Sequence, residues 1–152
     1  MDLKLIETGN GGDLVFNGTD IEVVQGFQNM PYIGLFGGNP VQSTQTINPS
    51  EERFDFWGND LFFVNDESIQ FNSSFERALS NTALNSTGRL ALEQAAERDL
   101  NFMSDFANIS IDAVIESVDR FKINITLREP DQLESNEFVY IWDNTKMDLT
   151  QI

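Results

Sequence analysis

The side chains that could carry acid–base chemistry in this sequence are nearly all carboxylates, because it contains 25 Asp and Glu residues but no His and no Cys. Histidine is the commonest general base and transition-metal ligand, and thiolate chemistry needs cysteine. Two carboxylates with separated pKa values can still act together, as they do in glycosidases. The carboxylates available for such a pair include Asp55, Asp60, Asp66, Glu67, Glu93 and Glu97. In so acidic a chain most of them are expected to be solvated surface charges, and we predict no enzyme.

Four loops have the composition of ligand sites without their spacing. Asn10 to Asp13 and Asn59 to Glu67 offer oxygen atoms, but not at the regular intervals of a calcium-binding loop. Gly9 to Gly12 and Gly34 to Gly38 lack the lysine and the strand–helix context of a phosphate loop. Ordinary turns are therefore predicted at these positions, with no metal and no cofactor.

The charge and length of the chain limit the classes of partner and the number of domains that are expected. A net charge of −16 repels phosphate backbones, so nucleic acid is not expected. The acidity either serves solubility alone, which composition favours, or directs the protein towards basic partners. The N-terminus lacks the basic start and apolar run of a signal peptide. The longest apolar run, Phe138 to Trp142, is too short to cross a bilayer, so no membrane partner is expected. The length predicts one domain over residues 1–152.

The N-terminal part of the chain predicts strands. Leu3 and Leu5 alternate with polar residues, as in a short strand. Asn17-Gly18 is the dipeptide that best tolerates a type I′ turn, and it separates two predicted strands, Asp13 to Phe16 and Thr19 to Val24. These segments therefore predict a β-hairpin.

The middle of the chain predicts helices and an exposed loop. Phe27 to Phe36 predicts a short helix that ends at Gly37-Gly38, where glycine permits a left-handed cap. Asn39 to Glu52 is polar and predicts a loop, whereas Phe54 to Val64 is dense in aromatic residues. Ser74 to Asn81 predicts a second short helix.

A long helix is predicted to follow the capping residues Asn85-Ser86-Thr87 and to continue to about Asp105. Its apolar residues fall on one side at helical spacing, which predicts a core-facing stripe. The residues predicted to form this stripe are Ala91, Leu92, Ala95, Ala96, Phe102, Met103 and Phe106.

The C-terminal third predicts strands. Apolar residues alternate in Ile109 to Ile115 and in Phe121 to Leu127, with a turn expected at Asp119-Arg120. Phe138 to Trp142 predicts a final strand that is apolar on both faces. Together the patterns predict an α+β fold. It would have a small mixed or antiparallel sheet of N-terminal and C-terminal hairpins, packed on one long and one or two short helices.

Five motifs follow one another along nearly the whole chain. They are Gly11-Gly12-Asp13-Leu14 leading into Asn17-Gly18, Leu35-Phe36-Gly37-Gly38-Asn39, Phe56-Trp57-Gly58-Asn59, Ala83-Leu84-Asn85-Ser86, and Phe138-Val139-Tyr140-Ile141-Trp142-Asp143. In this order and spacing they resemble the gene-forty-six family of Mu-like phages. That family is related to the gene-twenty-five-like, or lysozyme-like, baseplate wedge proteins.

The resemblance implies a structural subunit of a contractile-tail baseplate wedge that joins the inner wedge ring and hub to the tail sheath. The implied partners are the large wedge ring protein, the hub or spike, the tail sheath and the tail tube. Six copies per baseplate are implied by the sixfold symmetry of the tail. The protein would assemble in the host cytoplasm and end in the virion, where it starts the sheath.

Two departures from the family pattern affect what is carried over. Phe56 stands where the family often has the first of two tryptophans, so an aromatic residue is kept before Gly58. The lysozyme-like wedge proteins carry a Glu-Pro-Arg motif, whereas this chain has Arg128-Glu129-Pro130, and the role of that motif is not transferred.

Several residues are candidates for a protein interface, each with an alternative. Phe56-Trp57-Gly58 is either an exposed anchor or a loop folded over its own core. The final strand either pairs with a partner's sheet or lies inside the chain's own sheet. The full candidate set is Phe36, Gly37, Gly38, Phe56, Trp57, Gly58, Asn59, Arg128, Glu129, Phe138, Tyr140 and Trp142.

Two other functions remain as alternatives. A cell-wall glycan hydrolase would need two carboxylates across a cleft. A tail accessory protein that binds glycans could stack sugars on Trp57, Phe62 and Phe63, although such proteins are usually rich in β-structure.

Overall fold

The structure, a computed structural model, describes residues 2–7, 12–38, 69–146 and 148–152. In these ranges the chain forms α-helices and small antiparallel sheets, which confirms the predicted α+β class. The strands are β1 (Asp2–Leu3), β2 (Leu5–Glu7), β3 (Gly12–Leu14), β4 (Val23–Val24), β5 (Asn108–Ile115), β6 (Arg120–Arg128), β7 (Asn136–Asp143) and β8 (Asp148–Gln151). The helices are α1 (Met30–Phe36), α2 (Ser74–Asn81) and α3 (Ser86–Leu100), and a 3₁₀ helix, Asn101–Asp105, follows α3 directly.

The C-terminal third folds into a four-stranded antiparallel meander in the order β5-β6-β7-β8. The predicted alternation in β6 is confirmed, because its odd-numbered residues from Phe121 to Leu127 are buried and its even-numbered residues are not. The turn before β6 comes earlier than predicted, since the Glu116 amide bonds to the Arg120 carbonyl at 2.9 Å and Arg120 already belongs to the strand. Strand β8 was not predicted, because Leu149 is its one buried apolar residue.

The N-terminal strands form two separate pairs, β1 with β4 and β2 with β3. The prediction that they share a sheet with the C-terminal strands is therefore wrong. The turn is also displaced by one residue: the Asn17 amide donates to the Asp20 carbonyl at 3.1 Å, so Gly18-Thr19 is its centre. The Asn17 side chain explains the displacement of the turn. Its oxygen accepts hydrogen bonds from the amides of Thr19 and Asp20, which places Asn17 before the two central residues of the turn.

The end of α1 differs from the predicted left-handed cap. Gly37 is right-handed, with φ −72° and ψ −19°, and its amide bonds to the Ile33 carbonyl at 2.8 Å. A Cβ at this position would overlap that carbonyl oxygen and would lie 3.0 Å from the Phe71 ring. Glycine is therefore required by close packing and not by a positive φ.

The start of α3 is as predicted, since the Asn85 side chain accepts a hydrogen bond from the Gly88 amide at 2.9 Å. The predicted apolar stripe is only partly right. Leu92, Ala95, Ala96 and Met103 are buried in the core, but Ala91, Phe102 and Phe106 are exposed. The α-helix ends at Leu100, earlier than predicted, so Phe102 lies in the 3₁₀ helix and Phe106 lies after it.

The core lies between the buried face of the sheet and the three helices. It is one continuous cluster that includes large side chains from each layer, among them Phe36 of α1, Phe75 of α2, Leu92 of α3 and Trp142 of β7. Because every layer contributes to one cluster, the position of each helix is tied to the sheet.

The helices meet around the carboxylate of Asp99, near the end of α3. One oxygen accepts from the Phe75 amide and the other from the Ser74 hydroxyl, both at 2.7 Å. Ser73, the residue before α2, makes no capping bond and instead donates its hydroxyl to the Gly34 carbonyl of α1 at 3.0 Å. Helix α2 is thus capped from another helix. Burial raises the pKa of the Asp99 carboxyl, an effect that these hydrogen bonds oppose.

Replacing Asp99 with alanine tests this junction. The substitution leaves the Phe75 amide and the Ser74 hydroxyl without their acceptor, so we expect the free energy of unfolding to fall by about 2 kcal/mol. Urea unfolding measures the change. Glu97→Ala on the same helix is the matched control, because Glu97 is exposed and should change stability by less than about 0.5 kcal/mol. Equal losses in both variants would contradict the capping role.

Candidate protein interface

Several of the predicted interface residues lie outside the described residues, so they stay candidates either for an exposed anchor or for a loop folded over the chain's own core. These residues are Phe56, Trp57, Gly58 and Asn59. The aromatic residues Phe62 and Phe63 and the carboxylates Asp55, Asp60, Asp66 and Glu67 also lie outside the described residues. The remaining candidates are described, and the structure shows which surfaces they can reach.

Phe36, Gly37 and Gly38 are buried at the end of α1. The Phe36 ring packs inside an aromatic cluster, with centroids 5.6 Å from Phe75 and 5.4 Å from Tyr140. The side chain is therefore part of the chain's own core and does not offer a contact to a partner.

Phe138, Tyr140 and Trp142 all point into the core from β7. Strand β7 is hydrogen-bonded to β6 on one side and to β8 on the other. Of the two alternatives for this segment, the structure shows a central strand of the chain's own sheet. These three side chains fill the core, so they are corrected from interface candidates to core residues.

Arg128 and Glu129 follow the end of β6. Arg128 is exposed, whereas Glu129 is half-buried and its carboxylate lies against Gly26. Gly26 has φ +68°, and a Cβ there would overlap a carboxylate oxygen of Glu129. Glycine is favoured here by its φ, which few other residues adopt, whereas the Glu129 carboxylate ends a flexible side chain that can shift.

A surface that the sequence did not reveal is the outer edge of β5. The Glu116 amide bonds to the Arg120 carbonyl directly opposite, which fixes the alternation of the β5–β6 ladder. The backbone N–H and C=O groups of Ile109, Ile111 and Ala113 therefore point away from β6. No pattern of side chains signals this, because the free groups belong to the backbone.

In the part of the chain that the structure describes, one side-chain hydrogen bond reaches the outward backbone groups of this edge, and α3 and the 3₁₀ helix lie close to β5. Arg89 of α3 donates from Nη1 to the Ala113 carbonyl at 3.2 Å and also pairs with Glu93 at 2.6 Å. The groups of Ile109 and Ile111 have no such partner among the described residues. The opposite edge, β8, is approached by β2, since the Glu7 amide bonds to the Gln151 side chain at 3.4 Å. The outward backbone groups of the first part of β5 are therefore unpaired among the described residues.

The carboxylates proposed for an acid–base pair do not assemble into one where they are described. Glu93 is held by Arg89, and Glu97 is exposed on an open depression that Gln94, Arg98 and Asn101 also line. The described residues contain no cluster of three or more side chains fit to hold a metal ion. None of their helices is both long and apolar enough to cross a membrane.

The buried ionisable groups form a cluster inside the core. The Tyr32 hydroxyl donates to the Glu7 carboxylate at 2.8 Å, and the Tyr32 ring stacks on Tyr140 with a centroid distance of 6.4 Å. Glu76 is also buried nearby. Burial, and then the charge of Glu7, raises the pKa of both tyrosines far above its usual value, so both stay neutral. Because its members are closed off from solvent, the cluster is part of the packed core.

Comparisons of the chain with models of protein families, with curated proteins and with solved structures found no match. Membership of the gene-forty-six family therefore stays a prediction from the five motifs.

The two tyrosines give a matched test of the buried cluster. Tyr32→Phe removes the donor to a buried carboxylate, and we expect it to lower the free energy of unfolding by about 1–3 kcal/mol. Tyr140→Phe removes a buried hydroxyl that has no partner among the described residues, so stability should stay constant or rise. Chemical denaturation compares the two, and a larger loss in Tyr140→Phe would contradict the assignment.

The same tyrosines predict a pH dependence. Their pKa is raised in the folded chain, whereas in the unfolded chain it stays near 10.0. Their contribution to stability is therefore complete below pH 10 and is lost as the pH rises beyond it, by up to about 1.4 kcal/mol per pH unit for each tyrosine. The chain has two tyrosines in all, so Tyr32→Phe combined with Tyr140→Phe should flatten this decline. An equally steep decline in the double variant would contradict the account.

Proposed function

We propose that the chain is a structural, non-catalytic subunit of a contractile-tail baseplate wedge that joins the inner wedge ring and hub to the tail sheath. The order of the five motifs supports the family, and the free edge of β5 supports the mode of assembly. That edge is the observation that carries the proposal, because it gives the chain a defined way to bind another protein.

A free strand edge binds an extended segment through the backbone. The outward N–H and C=O groups of Ile109 and Ile111 match the spacing of a partner strand, which would become a fifth strand of the sheet. Proteins that do not use a long edge usually cover it, twist it or place charges along it. Here Arg89 covers one carbonyl, and Asp112 is the one charged side chain within β5, so the edge is only lightly protected.

The sheet behind the edge suits a structural role. The core-facing side chains of β5 pack against the helices, and α3 lies close to the strand. A strand added at this edge would extend a rigid body, because β6 and β7 are buried on their inner face along their whole length. The partner strand would therefore bind to a rigid sheet and not to a loop.

The charge of the chain favours a basic partner segment. The net charge is −16, and Asp112 and Glu116 are exposed along β5 without an ion-pair partner among the described residues. Opposite charge on the added strand would speed encounter and make assembly sensitive to salt.

Complementation tests the proposal in the genome that encodes the chain. Deleting the gene should abolish sheathed tails, and the wild-type gene should restore them. Asp112→Lys places a like charge beside a basic partner strand, so we expect it to reduce sheathed tails by at least about tenfold. Glu137→Lys is the matched control, since Glu137 is equally acidic and exposed but lies on the central strand β7.

Two results would contradict the proposal. The first is normal sheathed tails after deletion of the gene, as judged by electron microscopy. The second is release of reducing sugars from peptidoglycan by the purified chain, which would favour the glycan hydrolase instead.

A further inference from the structure

Two phenylalanines that the sequence assigned to the core lie half-exposed beside α1. Phe106 has 54% and Phe102 has 47% of its surface accessible. The Phe106 ring is 5.7 Å from the ring of Phe27, which immediately precedes α1. The Phe102 ring reaches within 3.2 Å of the place where a Gly34 Cβ would stand, in the middle of α1. The exposed rings thus follow the length of that helix.

A carboxylate lies against the residue that precedes Phe27. The carboxylate is that of Glu129, and the residue is Gly26. Among the described residues Glu129 accepts one side-chain hydrogen bond, a long one from Gln132 Nε2 at 3.4 Å. No Lys or Arg of the described chain pairs with it, and Asp105, next to Phe106, also lacks such a partner.

Exposed aromatic rings beside an unneutralised carboxylate have a chemical complement. A guanidinium group is planar and weakly hydrated, so it stacks on an aromatic face while it donates two hydrogen bonds to a carboxylate. An ammonium group is compact and strongly hydrated, and it does not stack in this way. The chemistry of the surface therefore fits arginine better than lysine.

We propose that Phe27, Phe106 and Glu129 form a binding site for an arginine side chain of another protein, with the Phe106 ring as the stacking surface. The charge of the chain favours this occupant, because a net charge of −16 attracts basic segments. The site differs from the β5 edge, because it would bind a side chain of a partner, whereas the edge would pair with a partner's backbone. It does not depend on the chain belonging to a tail.

Titration of the full-length chain followed by NMR tests the site. N-acetyl-arginine amide is the probe, and N-acetyl-lysine amide at the same concentration is the matched comparison. The expected result is that arginine shifts the ring signals of Phe27 and Phe106 and the amide of Glu129, and binds several-fold more tightly than lysine. Shifts of equal size for the two probes, or shifts spread over the whole acidic surface, would overturn the proposal.

Variants separate the site from general attraction to an acidic protein. Glu129→Gln and Phe106→Leu should each weaken arginine binding by about fivefold or more, in line with a contribution of about 1 kcal/mol from each contact. Glu134→Gln in the same loop and Phe16→Leu, a phenylalanine that is 67% exposed elsewhere, are the controls and should leave it unchanged. Phe106→Leu keeps an apolar residue at an exposed position, so the fold is retained. Equal effects in Glu129→Gln and Glu134→Gln would sink the idea.

Discussion

The hydrogen bonds accepted by the partly buried carboxylate of Asp99 are the interaction on which the arrangement of this chain depends. The carboxylate belongs to α3 but closes the first turn of α2, and the neighbouring Ser73 ties that turn to α1. Both surfaces proposed for binding are set by α3. Arg89 reaches from its first turns to the edge of β5, and Phe106 follows the 3₁₀ helix at its end. A shift of α3 would therefore move the two surfaces together.

What the sequence could predict was local. The alternation from Phe121 to Leu127, the helix Ser74–Asn81 and the cap at Asn85 depend on near neighbours, and the structure shows all three. The capping by Asp99 joins groups that are 24 residues apart, so no local pattern contains it. Phe102 was misplaced because the predicted stripe assumed an α-helix to about Asp105, whereas the α-helix ends at Leu100 and Phe102 lies beyond it.

The candidate interface shows the same limit in another form. Apolar residues on both faces of Phe138 to Trp142 were compatible with exchange between proteins, but the strand is central and its inward side chains fill the core. The free edge lies instead on β5, whose outward residues are polar apart from the exposed Val114. Availability for pairing is a property of the backbone ladder, which only the three-dimensional register defines. Side-chain apolarity therefore located a strand of the sheet but carried no information about which backbone groups are unpaired.

The most direct test of the central claim is hydrogen exchange at the β5 amides, measured in the free chain and in purified contractile tails. In the free chain the amides of Ile109 and Ile111 have no hydrogen-bond partner among the described residues and should exchange rapidly, whereas the β6 amides that pair with β7 should be protected. In assembled tails we expect the amides of Ile109 and Ile111 to become protected from exchange, because a partner strand pairs with them. Unchanged exchange at these two amides in the tail, or absence of the chain from the tail, would contradict it.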